Sequence, residues 1–178
     1  GEEKEAAADG DLITVGYAQV GAESDWRTAN TESFKSTFTE ENGYKLIFDD
    51  AQQKQENQIA AIRNFIQQEV DYIVLAPVTE TGWDTVLQEA KDAGIPVIIV
   101  DRMVDVSDDS LYTAWVGSNF KLEGQKAMAW LDAYLEAKGR GDEEINLVDI
   151  QGTIGASAQI GRTQGFDDAV EAHDNWTT

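Results

Sequence analysis

Four short runs of apolar and β-branched residues, each followed by a longer amphipathic stretch, constrain this chain more than any other feature. The runs are residues 12–17 (LITVGY), 44–48 (YKLIF), 72–76 (YIVLA) and 97–100 (VIIV). They lack the regular polar alternation of a strand wetted on one face. Near-continuous apolar runs mark strands covered by helices on both faces, which is the situation of a parallel sheet. Strand, helix, strand in succession is the right-handed βαβ unit. The expected fold class is therefore α/β, a doubly wound parallel sheet of order 2-1-3-4.

The segments between the runs carry helical signatures. Residues 26–41 end at Asn42-Gly43, a pair suited to the left-handed residue that closes a helix. Ile59, Ile62 and Ile66 form one stripe of residues 55–68, and Trp83, Val86, Leu87 and Ala90 fall at i, i+3, i+4 and i+7. Gly94 and Pro96 stop that helix before the fourth strand. A turn-rich acidic stretch, 105–110 (DVSDDS), opens a boundary region that reaches Gly117 and contains a strand-like segment, 112–116.

Beyond it, Asn119 suits the cap of a helix to Lys138 with Ala127, Leu131 and Tyr134 on its buried side. Residues 145–150 (INLVDI) read as a further buried strand and 158–172 as a helix. One strand and two helices do not enclose a doubly wound core, so residues 117–178 are expected to form an incomplete second lobe beside a first lobe over 12–116. Residues 1–11, acidic and rich in Ala, read as a solvated leader.

Composition excludes several functions. Lys and Arg number 13 against 34 Asp and Glu, a formal net charge of −21. That field opposes a nucleic acid or an anionic membrane, both of which require clustered cations. Zero Cys excludes disulfides and thiolate zinc, and a single His, His173, excludes multi-His metal centres and argues against a Ser-His-Asp triad. Gly152-Thr153-Ile154-Gly155-Ala156-Ser157 is Gly-rich but lacks the Lys-Ser/Thr of a phosphate loop and the third glycine of a dinucleotide site. Neither a catalytic role nor a metal or cofactor is expected. No apolar run approaches the roughly 20 residues that span a bilayer. His173 reads as exposed and idle, and the sequon Asn175-Trp176-Thr177 as silent outside a glycosylating host.

In an open α/β sheet, ligands bind beyond the carboxyl ends of the strands. Those positions hold Gln19, Trp26 and Arg27 after the first run, Asp49 and Asp50 after the second, Asp101 and Arg102 after the fourth, and Arg162 one turn into the last helix. Carboxylates and guanidinium forks together suit a neutral polyhydroxy ligand, because each hydroxyl both donates and accepts. An indole such as Trp26 supplies a plate for the ligand's C–H face. Bland readings stand beside these: Trp26 fits a core position equally well, Asp101 and Arg102 fit a helix cap and a surface ion pair, and Asp49 and Asp50 fit turn formers.

The blocks VGYAQVGAESDWR (15–27), DDAQQKQENQIAAIRNFI (49–66), DYIVLAPVTETGW (71–83), AGIPVIIVDR (93–102) and QGTIGASAQIGRTQGF (151–166) together resemble the ribose/galactose family of periplasmic sugar-binding proteins, and within it most resemble the galactofuranose-binding members. The resemblance implies the type I periplasmic-binding-protein fold, two Rossmann-like lobes that close on a monosaccharide and deliver it to the permease of an ABC importer. It implies that Asp101 and Arg102 bond the sugar from the first lobe and Arg162 from the second, with Trp26 stacking, Arg27 supplying a second guanidinium, and Gln19 and Asp50 as further candidates. Family members carry more strands in the second lobe, so a chain cut within it is expected, with self-association through exposed sheet edge and apolar surface. The leader resembles the spacer of lipid-anchored binding proteins, which sets a lipoprotein on the outer face of the membrane against a soluble periplasmic form. The alternative is the effector domain of a LacI-type transcription regulator, which shares this fold but would follow a basic DNA-binding segment, where residues 1–11 are acidic.

Overall fold

The structure, a computed structural model, describes residues 9–178. The expected leader therefore lies mostly outside the described residues; Asp9–Asp11 form a single 3-10 turn. The chain divides into two compact units between Val116 and Gly117.

The first unit is built on strands β1 (Ile13–Gln19), β2 (Tyr44–Asp50), β3 (Tyr72–Leu75), β4 (Val97–Asp101) and β5 (Ala114–Gly117). They form one sheet in the order β2-β1-β3-β4-β5. The expected order 2-1-3-4 thus gains a fifth strand at its edge. β1 pairs in parallel with β2 and β3, and β3 with β4, in registers that set Gln19 beside Asp50 and Ile73 beside Val97.

Successive side chains on a strand point to opposite faces, and the core follows that period. Ile73, Leu75, Val97 and Ile99 turn to one side, where helices α2 (Gln55–Gln67) and α3 (Asp84–Asp92) supply Ile62, Phe65, Val86, Leu87 and Ala90. Val74 and Val100 turn to the other with Val15 and Tyr17, against Phe34 of helix α1 (Asp25–Thr37) and the Phe38 that follows it. Burying each such side chain contributes about 1.5–3 kcal/mol. Gly16 is dictated by this packing, since a Cβ there would stand 2.5 Å from the Phe65 ring.

Helix α1 ends earlier than expected. Asn42 donates its side-chain amide to the Thr37 carbonyl, while the Thr39 hydroxyl accepts from the Asn42 N–H and starts a separate 3-10 turn, Glu40–Asn42. Gly43, at φ 91°, closes that turn. Gln58 is buried and uses both ends of its amide: Nε2 donates to the carbonyls of Ala76 (2.6 Å) and Ala18 (3.3 Å), and Oε1 accepts from Val78 N (2.9 Å). One side chain thereby clamps the carboxyl ends of β1 and β3.

The turn-rich segment after β4 is tied to α3. Asp84 Oδ1 accepts from the Ser107 N–H at 2.9 Å and from the Ser107 hydroxyl. These bonds hold the Asp84 carboxyl below the usual carboxylate range.

The second unit contains helix α4 (Phe120–Ala137), helix α5 (Ser157–Glu171) and a two-residue parallel pairing of β6 (Ile145–Asn146) with β7 (Trp176–Thr177). Asn119 caps α4 by accepting from Leu122 N at 3.0 Å. The buried side of α4 differs from the expected one. Phe120, Gly124, Met128 and Leu135 are buried, whereas Ala127 and Tyr134 face solvent and Leu131 is half-buried. Backbone proximity explains the difference: Gly124 lies against the Arg162 carbonyl, and a Cβ on Gly165 would stand 2.5 Å from the Lys121 carbonyl oxygen. The glycines select which side of α4 meets α5.

The expected buried strand over 145–150 is also corrected. Pairing covers Ile145 and Asn146 and ends where Leu147 N donates to Thr177 O, leaving Val148 86% and Ile150 92% exposed. Nor is His173 idle. Its ring stacks on Trp176 at 3.9 Å, Nδ1 lies 2.7 Å from the Ala169 carbonyl oxygen, and Nε2 lies 3.3 Å from Asp132. Among the described residues, no helix is long and apolar enough to cross a membrane.

Two outcomes are expected. Gly16→Ala should destabilise the first unit by about 1–3 kcal/mol in urea unfolding, and Phe65→Leu in the same chain should recover part of that loss as a measurable coupling energy. The second concerns pH. A carboxyl whose pKa is lowered on folding stabilises fully above its unfolded value, near 4, and loses that contribution as pH falls through the folded value. The stability advantage of the wild type over Asp84→Asn should therefore be constant from neutral pH to about pH 4 and shrink below it; thermal melts of the two chains across that range check it.

Candidate functional site

The carboxyl ends of β1 and β4 and the first turn of α1 meet in one place. Ser24 caps α1, its hydroxyl accepting from Arg27 N at 3.1 Å, which starts the helix immediately after the loop leaving β1. Trp26 and Arg27 follow one another on that first turn and so diverge by about 100° around the helix axis. Trp26 is 58% exposed, and Arg27, pointing inward, is 2% exposed.

A buried guanidinium requires partners, and Arg27 has three. Nη2 donates to Asp101 Oδ2 at 2.7 Å, Nε to Glu23 Oε1 at 2.8 Å and Nη1 to Asn30 Oδ1 at 3.3 Å. Burial works against its charge, but the bonds to Glu23 and Asp101 more than compensate and raise its pKa. The Trp26 ring covers the guanidinium at 4.9 Å. Arg102, also buried, donates from Nη1 to the Val78 carbonyl at 3.1 Å and brings Nη2 within 3.5 Å of Glu23 Oε1.

Glu23 thus stands between two guanidiniums. Its Oε2 is buried and takes no hydrogen bond from the described residues; attraction to both cations holds the carboxylate there instead. Glu23, Asp101, Arg27 and Arg102 cancel in charge, so the cluster favours an uncharged polar ligand over an ion.

Asp101 carries a backbone peculiarity, a φ of 60°, in the left-handed region that few residues other than glycine occupy. Asp and Asn tolerate that region better than most, and strain of this kind gathers where a side chain must be aimed. Asp101 also accepts, through its backbone carbonyl, a 3.3 Å hydrogen bond from the Trp115 indole on β5.

The remaining candidates lie at different depths. Gln19 is fully buried: Nε2 donates to Asn30 Oδ1 (2.9 Å) and Thr31 Oγ1 (3.0 Å), and Oε1 accepts from Val20 N (2.9 Å). It supports Asn30, and through it Arg27, from below. Tyr17 donates its hydroxyl to the same Asn30 oxygen at 3.0 Å, and burial pushes its pKa up. Asp50 is exposed, and its Oδ1 accepts from Gln52 N at 2.8 Å in a turn whose Gln52 and Gln53 are both left-handed. Asp50 is not joined to the cluster. In the second unit, Arg162 donates to Glu123 Oε2 from Nε (3.0 Å), with Nη2 2.9 Å from the same oxygen, and lies over the Phe120 ring at 5.0 Å.

Sequence reasoning missed Glu23, Asn30 and Trp115. A signal existed for Asn30, which stands at i+3 from Arg27 on one face of α1, whereas Glu23 precedes the Ser24 cap and lies outside the helix. Trp115 gave none, because its contact joins two separate strands.

The chain matches the periplasmic binding protein domain family over residues 15–178. It is 48% identical over 159 residues to the galactofuranose-binding protein YtfQ of Escherichia coli (strain K12), a match that takes in 89% of this chain and 48% of that protein. Among solved structures it resembles a Mycobacterium smegmatis protein in complex with β-D-fucofuranose, with a TM-score of 0.86 and 48% identity, covering 93% of this chain and 53% of that one. It also resembles the periplasmic binding protein component of the arabinose ABC transporter from Shewanella sp. ANA-3, bound to α- and β-L-arabinofuranose, with a TM-score of 0.82 and 48% identity, covering 92% of this chain and 52% of the other. The chain spans about half the length of the relatives it matches. On the match over residues 15–178 and the parallel sheet that carries the cluster, the chain belongs to the periplasmic binding protein domain family.

Proposed function

We propose that this chain is the ligand-holding portion of an extracytoplasmic solute-binding protein that takes a monosaccharide and delivers it to the permease of an ABC importer. The observation that carries the reading is the Arg27–Asp101 pair, 2.7 Å apart and capped by a mostly exposed indole at the strand tips. Asp101 accepts from sugar hydroxyls, Arg27 and Arg102 donate to them, and Trp26 stacks on the C–H face of the ring. Gln19 acts from beneath by fixing Asn30, and Asp50 shapes the rim.

The ligands of the similar proteins, galactofuranose, fucofuranose and arabinofuranose, favour a five-membered ring over ribose and other pentoses or hexoses in pyranose form. The same similarities favour a transport subunit over the effector domain of a LacI-type regulator, and a binding role over a catalytic one. Lipid anchoring to the outer face of the membrane fits the acidic composition of residues 1–11, with a soluble periplasmic form as the competing arrangement.

Titration calorimetry with L-arabinose, D-galactose, D-fucose, D-ribose and D-fructose tests the reading. A hydrogen bond to a charged group is worth about 1.5–3 kcal/mol, so Asp101→Ala should weaken the best ligand roughly ten- to a hundredfold. Trp26→Ala should weaken it by a smaller factor, as loss of stacking alone. Unchanged affinity in both variants would remove the assigned site.

Exposed Val148, Ile150 and Ile154 also make self-association part of this proposal. Sedimentation velocity should give a mass that rises with concentration, and Val148→Ser with Ile150→Ser should return the chain to a monomer. A concentration-independent monomer in the wild type would count against it.

A further inference from the structure

The left-handed Asp101 leaves one feature of the site without a role, the indole bond that reaches it from the neighbouring strand. A residue at φ 60° at the end of β4 turns its peptide out of the sheet's hydrogen-bonding direction, so its carbonyl needs a partner from elsewhere. Trp115 Nε1 supplies it at 3.3 Å. Trp115 lies on β5, all four residues of which are exposed, and 38% of its own surface faces solvent. Burial alone therefore does not account for a residue of this size at this place. The Asp101 peptide is held at two points, its carboxylate by Arg27 Nη2 at 2.7 Å and its carbonyl by Trp115.

We propose that Trp115 is a positioning residue: its indole N–H holds Asp101 in the left-handed conformation that aims the carboxylate at Arg27, and so ties ligand affinity to the strand from which the chain enters the second unit. The inference rests on the reading of Asp101 as a ligand contact for its affinity consequence, but not for the geometry. β5 runs Ala114–Gly117 and the second unit begins at Gly117, so a change of backbone direction there acts on the strand that carries the indole.

The test uses the ¹⁵N-labelled chain and two kinds of substitution. Trp115→Phe keeps a ring and removes the donor. With no sugar present, it should shift the signal of the Arg27 Nη2–H that donates to Asp101 and speed its hydrogen exchange, a change that loss of packing at an exposed edge does not produce. Conversely, Asp101→Ala, which disfavours positive φ, should shift the Trp115 indole signal, whereas Asp101→Gly, which keeps that backbone conformation, should leave it in place. Calorimetry with L-arabinose should then show Trp115→Phe binding roughly three- to tenfold more weakly, the worth of one neutral hydrogen bond. An Arg27 Nη2–H signal that ignores Trp115→Phe, or an indole signal that responds alike to Ala and Gly at 101, would overturn the positioning role. If the signals move as expected while the wild type binds none of the five sugars, the sugar reading fails and the positioning geometry stands. Should Trp115→Phe fold poorly, the Ala and Gly pair at 101, with Trp115 intact, decides the matter.

Discussion

Nearly everything in the first unit serves one requirement, that a guanidinium at the tip of a parallel sheet be kept out of water with its charge intact. Arg27 meets it because three elements end at the same spot: the loop after β1 brings Glu23, the first turns of α1 bring Arg27 and Asn30, and β4 brings Asp101. Removing one partner of a buried pair leaves an uncompensated charge, at a cost of about 3–5 kcal/mol. Alignment of those strand ends is therefore a condition of stability, and on the proposed reading of binding as well. Beneath the pair, Gln19 and Tyr17 converge on Asn30, and the Gln58 amide fastens β1 to β3, so the site stands on a platform whose polar groups are each accounted for.

The strands were legible because their signal is local. Residues 12–17, 44–48, 72–76 and 97–100 coincide with β1 to β4 within two residues at either end, and the stripe of Trp83, Val86, Leu87 and Ala90 is buried as its spacing requires. Strand ends in turn locate the rim, and Trp26, Arg27, Asp101 and Arg102, which the strand pattern sets there, do come together in the structure. What composition and periodicity do not carry is which charged residue faces which. Glu23 lies in a loop before the helix cap, and its link to both Arg27 and Arg102 depends on the separation of β1 from β4 across the sheet.

The second unit shows the opposite limit. Hydrophobic periodicity weights a helix face by the size of its apolar side chains and gives glycine no weight. On α4 the side that meets α5 is chosen by Gly124 and by the Gly161 and Gly165 opposite, so close backbone approach outranks bulk. Trp130 and Tyr134 are left outside, stacked on each other at 5.2 Å. The same blindness accounts for residues 145–150, whose apolar content promises a strand that pairing supports over only two residues.

The internal cancellation of charge among Glu23, Asp101, Arg27 and Arg102 acquires meaning when set against the molecule that surrounds it, whose formal charge is −21. A neutral island within a strongly anionic shell discriminates before any contact is made. Phosphorylated sugars, carboxylated sugars and nucleotides meet a repulsive potential at a range of about 8–10 Å in physiological salt, while a bare monosaccharide diffuses in unopposed. On the proposed reading, recognition has two stages of different reach, an outer screen that sorts solutes by valence and an inner cradle that sorts them by hydroxyl geometry, and raising the ionic strength weakens the first while leaving the second nearly untouched.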